Sequence, residues 1–251
     1  MQYTFSANYY KICVIITKGG DKVLDQNVVT RVEKKYEIDP FAAMNLKNIL
    51  CKTLTQDLHN TNDGYIVRSL YFDTVYDNDY FDKEDGLEHR KKIRLRTYDP
   101  KSEFLKLELK QKEGEYQYKY SLTISKSIGQ KLIDGHYEVL KELNNDLADR
   151  LYNIMQTNLY RPKCIVEYKR LAYIVKENNT RITIDSDLKF SESNMDIFNP
   201  SLALNSVTDK TILEVKYNNF LLSYVKDIID STNKSQTSAS KYCMSRNISY
   251  L

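Results

Sequence analysis

Arg181-Ile182-Thr183-Ile184-Asp185 places a polar or charged side chain at every second position, with isoleucine between. A period of two marks a β-strand with one polar and one apolar face. The same alternation recurs in Arg94-Leu95-Arg96, Glu108-Leu109-Lys110 and Glu214-Val215-Lys216, and more weakly in Glu33-Lys34-Lys35. Residues two apart on a strand stand about 7 Å apart on one face. Two cations at that spacing repel by about 0.6 kcal/mol in bulk water and by about 2.4 kcal/mol at an effective dielectric near 20. A solvated sheet face carries such pairs cheaply. An enclosed face needs counter-charges or an anionic ligand.

For any one strand both readings are open. Two details favour enclosure. The alternate positions are firmly apolar (Ile93 and Leu95; Leu105, Leu107 and Leu109; Ile182 and Ile184; Leu213 and Val215), and amphipathic helices lie between the strands to cover them. The cations also recur on strand after strand. The expected class is α+β: an antiparallel β tunnel, or barrel, with a charged interior and flanking helices.

The bulk numbers fit one domain. The chain has 251 residues, 41% hydrophobic and 28% charged, with only 7 Gly and 4 Pro, which argues against a linker-rich array. A net charge of +3 is too close to balance for general basicity to imply a polyanion partner, so local arrangement carries that inference. Tyr is abundant at 21, as half-buried sheet surfaces favour. Cys13, Cys51, Cys164 and Cys243 are widely spaced with no CxxC, so no zinc site is implied. The apolar run Ile12–Ile16 is too short to span a bilayer. With no export signal the expected location is cytoplasmic, any membrane attachment being supplied by a partner protein. Residues 1–29 are expected to form an N-terminal extension, a peripheral strand or loosely held segment, with the main domain over 30–251.

Strands are expected at Val32–Ile38, Tyr65–Asp73, Arg90–Tyr98, Phe104–Lys112, Tyr116–Ile124, Arg161–Val175, Thr180–Phe190 and Thr211–Tyr217. Asp39-Pro40 caps a helix reaching to about Leu58, and 128–159 reads mostly as helix broken at Gly135. Tyr76–Gly86 is a short helix or loop, 191–209 is loop-like, and Phe220–Ile229 is a helix. Ser231–Ser240 is Ser/Thr-rich, reads as a mobile loop and is placed to close one end of a tunnel. Asp73, Asp77, Asp79 and Asp82 form an acidic cluster read as capping and solvation. Tyr116, Tyr118 and Tyr120 are read as packing, and His59, His89 and His136 as surface residues.

Arginine suits bidentate phosphate contacts, and lysine acts as a point charge. Glutamates among them suit Mg2+ or Mn2+, since hard cations choose oxygen donors; simple ion pairing is the alternative for Glu108 and Glu214.

Read together and in order, Arg31–Ile38, Ser69–Asp73, Arg94–Tyr98, Leu107–Lys112, Glu167–Tyr173, Arg181–Asp185, Ile212–Tyr217 and Ser240–Tyr242 resemble the triphosphate tunnel metalloenzymes, and more narrowly the VTC domain, their polyphosphate polymerase branch. Each motif alone is weak; their number and order make the set specific over about residues 30–245. The resemblance implies an eight-stranded antiparallel tunnel. It implies that Lys35, Arg94, Arg96, Lys110, Arg170, Arg181, Lys216 and Lys241 contact phosphates, with Lys119 also facing the tunnel and Lys112 in the same strand motif as Lys110. It implies that Glu214 binds a divalent metal, with Glu33 and Glu108 as further candidates for metal or for orienting the lysines. Arg94, Arg96, Lys110, Arg181 and Lys216 are assigned to the transfer itself.

One departure bears on the chemistry. Hydrolytic relatives open with Glu-x-Glu-x-Lys, whereas Arg31 stands at the first position here. Replacing a carboxylate with a cation favours a longer polyanion. The expected reaction is transfer of the ATP γ-phosphoryl group to an inorganic polyphosphate chain, with a divalent metal ion and no nucleic acid. Hydrolysis of inorganic or nucleoside triphosphate by the same tunnel, a class-IV adenylate cyclase and a non-catalytic polyanion binder are the rivals.

Overall fold

The structure is a computed structural model that describes residues 11–16, 28–114 and 116–250. The chain runs β1 (Lys11–Ile16), β2 (Val28–Ile38), α1 (Pro40–Thr53), β3 (Thr55–Gln56), β4 (Tyr65–Thr74), α2 (Asn78–Glu84), β5 (His89–Thr97), β6 (Phe104–Glu113) and β7 (Tyr116–Ser125). It continues with α3 (Lys126–Ile133), a 3-10 turn (Tyr137–Leu143), α4 (Asp146–Thr157), β8 (Tyr160–Val175), β9 (Thr180–Ser191), β10 (Asn205–Ser206), β11 (Thr211–Asn218), α5 (Ser223–Asp230), β12 (Ser235–Gln236) and α6 (Lys241–Tyr250). Every segment with period-two alternation is a strand.

The helix starts follow local chemistry. Asp39 accepts the Ala42 amide at 2.8 Å and Pro40 follows at the first helical position, which fixes the start of α1. That helix ends at Thr53, not near Leu58, because Thr55 and Gln56 pair with Ile174 and Tyr173 of β8. Gly135, at φ +89°, separates α3 from the 3-10 turn where the sequence expected a break.

The strands form one twelve-stranded sheet, ordered β10-β9-β11-β2-β1-β7-β6-β5-β4-β8-β3, with β12 on β2 and a further pairing of β8 with β9. This corrects the expectation of eight antiparallel strands. Three of the additional strands are two-residue pieces, and β1 runs parallel to β7 while antiparallel to β2. The β1 backbone satisfies edges of β2 and β7 that would otherwise present unpaired amides and carbonyls. A strand assigned to the N-terminal extension thus shares the sheet of the main domain; the rest of that extension, 1–10 and 17–27, lies outside the described residues.

The apolar face of the sheet is covered by helices. Leu70, Phe72, Ile93, Leu95, Leu105, Leu107, Leu109, Leu122 and Ile124 are buried with Leu132 of α3, Leu140 of the 3-10 turn, and Leu147, Leu151 and Met155 of α4. Val32, Tyr36, Ile182, Ile184, Leu213 and Val215 are buried with Leu46 and Leu50 of α1 and Val225 and Ile229 of α5. Burial of each such side chain contributes about 1.5–3 kcal/mol. A third cluster differs in kind: Val67, Tyr71, Val166, Tyr168, Leu188 and Phe190 pack against Tyr80 of α2 and Tyr242 and Cys243 of α6. Tyr71 shares the face of Arg94, so part of the face expected to be charged is apolar and is filled by α6. The Ser/Thr-rich stretch before α6 pairs with β2 through β12. Among the described residues no helix is long and apolar enough to cross a membrane.

Candidate functional site

Strand register brings the alternating charges onto one face. Arg94 pairs across β5 and β6 with Glu108, and Glu108 with Ser121 of β7. The Arg94 guanidinium donates from Nε to Glu108 Oε2 at 2.6 Å and from Nη1 to the Tyr71 hydroxyl at 2.9 Å. Lys119 Nζ lies 2.5 Å from Glu108 Oε1, and Arg96 lies 3.9 Å from Oε2 while donating to Ser69 Oγ at 3.2 Å. One carboxylate, 2% exposed, therefore answers three cations.

A second set forms where β2, β11, β9 and β8 adjoin. Glu214 stands opposite Lys35, and Lys216 opposite Glu33 and Arg181. Lys35 Nζ is 3.2 Å from Glu33 and 4.0 Å from Glu214, and Lys216 Nζ is 3.6 Å from Glu33 and 3.3 Å from Glu214. Arg170 makes a bidentate pair with Asp185, Nε–Oδ1 2.6 Å and Nη2–Oδ2 2.7 Å, and reaches Glu214 at 3.6 Å. Lys241, the first residue of α6, lies 2.7 Å from Asp185 Oδ2. Arg181 sits toward the end of this set, 3.0 Å from Asp57 and donating to the Tyr65 hydroxyl at 3.2 Å.

The two sets are coupled electrostatically. Lys110 of β6 is within electrostatic reach of Arg94 and Glu108 on its own side and of Lys216 and Glu33 on the other. Desolvation and the neighbouring Arg94 and Lys216 hold its pKa well below the ordinary lysine value, although its side chain reaches water. Lys92, on the face of Arg94, is lowered by burial with further repulsion from Lys35 and Lys83, and donates to Ser240 Oγ at 2.5 Å. Burial would raise Glu108, but Arg94, Arg96 and Lys119 hold it well below the carboxylate range. Glu214 is likewise held low against burial by Lys216, Glu33, Lys35 and Arg170. Lys35, which burial alone would lower, is raised by Glu33 and Glu214.

Of the residues anticipated from sequence, Lys35, Arg94, Arg96, Lys110, Lys119, Arg170, Lys216, Lys241, Glu33, Glu108 and Glu214 share this face, with Arg181 at its border. Lys112 lies two positions beyond Lys110, opposite Arg90, among Arg90, Glu88 and Lys83. Sequence reasoning missed Asp185, Lys92, Asp57, Tyr65 and Tyr71. Alternation from Arg181 and Arg94 points to Asp185 and Lys92. Asp57 lies in a connection with no periodic signal. Among the described residues of this network the ten cations Lys35, Lys92, Arg94, Arg96, Lys110, Lys119, Arg170, Arg181, Lys216 and Lys241 outnumber Glu33, Asp57, Glu108, Asp185 and Glu214 two to one.

The carboxylates differ in what they can hold. Both Glu108 oxygens are occupied by cations, which suits the orienting role and not metal ligation. The Glu33 and Glu214 carboxyls converge on the same two cations, Lys35 and Lys216, and so stand close enough together to offer oxygen donors to one divalent cation. Among the described residues no group of three or more His, Cys, Asp or Glu is placed to cage a metal. Mg2+ and its like are often held by one or two carboxylates completed by water and substrate phosphates, so the pair fits such an ion.

No curated protein matches this sequence. Among solved structures, a candidate adenylate cyclase from Bacillus halodurans is similar at 13% identity and TM-score 0.46, over 84% of this chain and 93% of that one. Another from Vibrio parahaemolyticus is similar at 14% identity and TM-score 0.44, over 85% and 96%. Likenesses this remote leave fold and activity to be argued from the chain itself. The family is shown by the domain match, which spans the strands and α6 that carry the charged face: over residues 30–250 this chain belongs to the VTC domain family.

Proposed function

We propose that this protein is a divalent-metal-dependent phosphotransferase that moves the γ-phosphoryl group of ATP onto an inorganic polyphosphate chain. The observation that carries the reading is the two-to-one excess of cations over carboxylates in the charged network of the described residues, with the Glu33 and Glu214 carboxyls together in its second set. In this reading the pairings that run from β9 through β11, β2, β1, β7, β6, β5, β4 and β8 back to β9 wrap around a tunnel.

Arg94 and Arg96 present planar donors fixed by Glu108, Tyr71 and Ser69; Arg170 is fixed by Asp185. Preset guanidinium groups neutralise charge on a transferring phosphoryl group without reorganising. Lys110, Lys119, Lys216, Lys35 and Lys241 supply point charges along the chain, and Arg181 closes the border. Mn2+ or Mg2+, held by Glu214 and Glu33, would screen the triphosphate oxygens and orient them. A terminal phosphate oxygen is ionised at neutral pH, so in-line attack on the γ-phosphorus needs no general base, and ADP leaves. Histidines are not required: His59, His89 and His136 are exposed. ATP and polyphosphate are the partners in this reading, and any membrane attachment comes through another protein.

The test incubates the purified chain with ATP and Mn2+ and separates long polymer from orthophosphate. Polymer with stoichiometric ADP is the expected result. Orthophosphate alone would replace this reading with hydrolysis, and metal-independent binding without turnover with a passive polyanion binder.

A further inference from the structure

Beside Arg181, where Tyr65 borders the apolar cluster that holds α6, stands a small group of aromatic rings. Tyr65 and Tyr98 meet edge to face with centroids 6.0 Å apart, and His59 meets Tyr65 at 6.3 Å. Tyr65 lies opposite Arg170 in the β4–β8 register. Tyr98 follows Arg96 by two residues, just past the end of β5. The rings are tied to the cations by one buried carboxylate. Asp57, 7% exposed, lies 3.0 Å from Arg181 and 2.8 Å from His59 Nδ1, and Arg181 also donates to the Tyr65 hydroxyl.

Packing against the apolar cluster accounts for Tyr65 but poorly for the other two rings. Tyr98 remains 52% exposed and the His59 side chain 82% exposed, so the rings cover little of each other. They stand where a molecule laid along Arg96, Arg170 and Arg181 would end. An inorganic polyphosphate has nothing to place against aromatic rings. A nucleoside does, since every base offers a π-face for stacking.

We propose that Tyr98, with Tyr65 and His59, forms a docking site for the base of the donor nucleotide, so that this end of the site selects a nucleoside triphosphate over inorganic triphosphate. The Asp57 link fixes Arg181 and the aromatic rim in one arrangement, so base and phosphates are gripped together. This rests on the reading of the charged face as a triphosphate site, but it does not depend on which acceptor takes the phosphoryl group.

The experiment measures binding of a non-hydrolysable ATP analogue and of inorganic tripolyphosphate, each with Mg2+, to the full chain by calorimetry. The wild type is expected to hold the nucleotide more tightly. Tyr98→Ala, at a half-exposed position, should weaken the nucleotide roughly 5- to 100-fold, the range for one lost stacking partner, and leave tripolyphosphate unchanged. Tyr98→Phe should restore the nucleotide to near the wild-type value. Equal loss for both ligands, no loss for either, or a wild type that does not distinguish them would overturn the base site. If the selective loss is found but no polymer forms from ATP, the docking site stands and the polymerase reading falls.

Discussion

Glu108→Gln tests whether the charged face is enclosed. The wild-type carboxylate accepts Arg94 at 2.6 Å and Lys119 at 2.5 Å, with Arg96 at 3.9 Å, and is 2% exposed. The amide keeps shape and one acceptor but removes the only negative charge among the side chains these three cations share. Arg94 and Arg96, about 7 Å apart as strand neighbours two residues apart, then repel by about 2.4 kcal/mol at an effective dielectric near 20. Each charge-assisted hydrogen bond lost costs about 1.5–3 kcal/mol. Lys119 is a third exposed, so its share is screened. The expected loss is about 3–5 kcal/mol, in the range for breaking a buried ion pair. Urea unfolding of both proteins measures it. Repeating the titration with saturating tripolyphosphate should return much of the loss, because a bound polyanion replaces the missing counter-charge. A loss below about 1 kcal/mol would mean that water screens this face and that the enclosure argument is wrong.

Arg94→Ala and Glu214→Ala should each lower turnover of ATP by at least about 100-fold, checked by ADP release, with far-UV circular dichroism unchanged. Asp79 is raised to about 7 by burial and by Asp73, against the pull of Lys91. A buried acid with a raised pKa is favoured protonated, so its contribution to stability is fully present below the unfolded value of 3.8 and is lost as pH rises to about 7. Relative to Asp79→Asn, the wild type should therefore lose stability between those limits, by up to about 4 kcal/mol in urea titrations. Gly64 has φ +85°, and a Cβ there would stand 2.4 Å from the Arg170 carbonyl oxygen, so Gly64→Ala should cost at least about 1–3 kcal/mol and shift the β4–β8 pairing beneath Arg170. Tyr242 donates to Asp73 Oδ2 at 2.7 Å, while Asp73 also accepts the amides of Thr74, Asp79 and Tyr80. Tyr242→Phe should cost about 1 kcal/mol and Asp73→Ala more than that, since the latter orphans four buried donors, the three amides and the Tyr242 hydroxyl; the thermal midpoints rank the two.

What the sequence disclosed, and what it withheld, follows from the range of each signal. Alternation is local. It assigned Arg94, Arg96, Glu108 and Lys110 to one face and Ile93, Leu95, Leu107 and Leu109 to the other, and the structure keeps every one of those sides. It cannot say which strand lies beside which. The insertion of Lys11–Ile16 in parallel against β7 is a pairing over more than a hundred residues, and nothing in that apolar run announces its partner. Lys241 and Tyr242 were legible as a motif, yet the burial of Tyr242 against Tyr71 on the charged face depends on where α6 packs. Two-residue strands such as Asn205–Ser206 and Thr55–Gln56 are too short to have a period at all. Asp57 escaped for the same reason, since it gains its meaning only from Arg181, which arrives 124 positions later.

The apolar cluster under α6 also alters how the charges themselves are understood. Had the whole face been cationic, the chain would have to hold mutually repelling side chains along its full length. Instead Val67, Val166, Leu188 and Phe190 pack with Tyr242 and Cys243 beside the stretch of β4 that pairs with Arg94 and Arg96, and this packing can stabilise the region irrespective of ligand. Beside this packing each arginine has a named holder: Glu108 for Arg94, Ser69 for Arg96, Asp185 for Arg170 and Asp57 for Arg181. The lysines are less securely matched, and burial and like-charge neighbours lower Lys92, Lys110 and Lys119. Arginines held by named partners, beside lysines whose charged form burial and like-charge neighbours disfavour, form a face that a bound polyanion would stabilise by supplying counter-charge. Rigid guanidinium donors suit the phosphate geometry, and the lysines act as point charges.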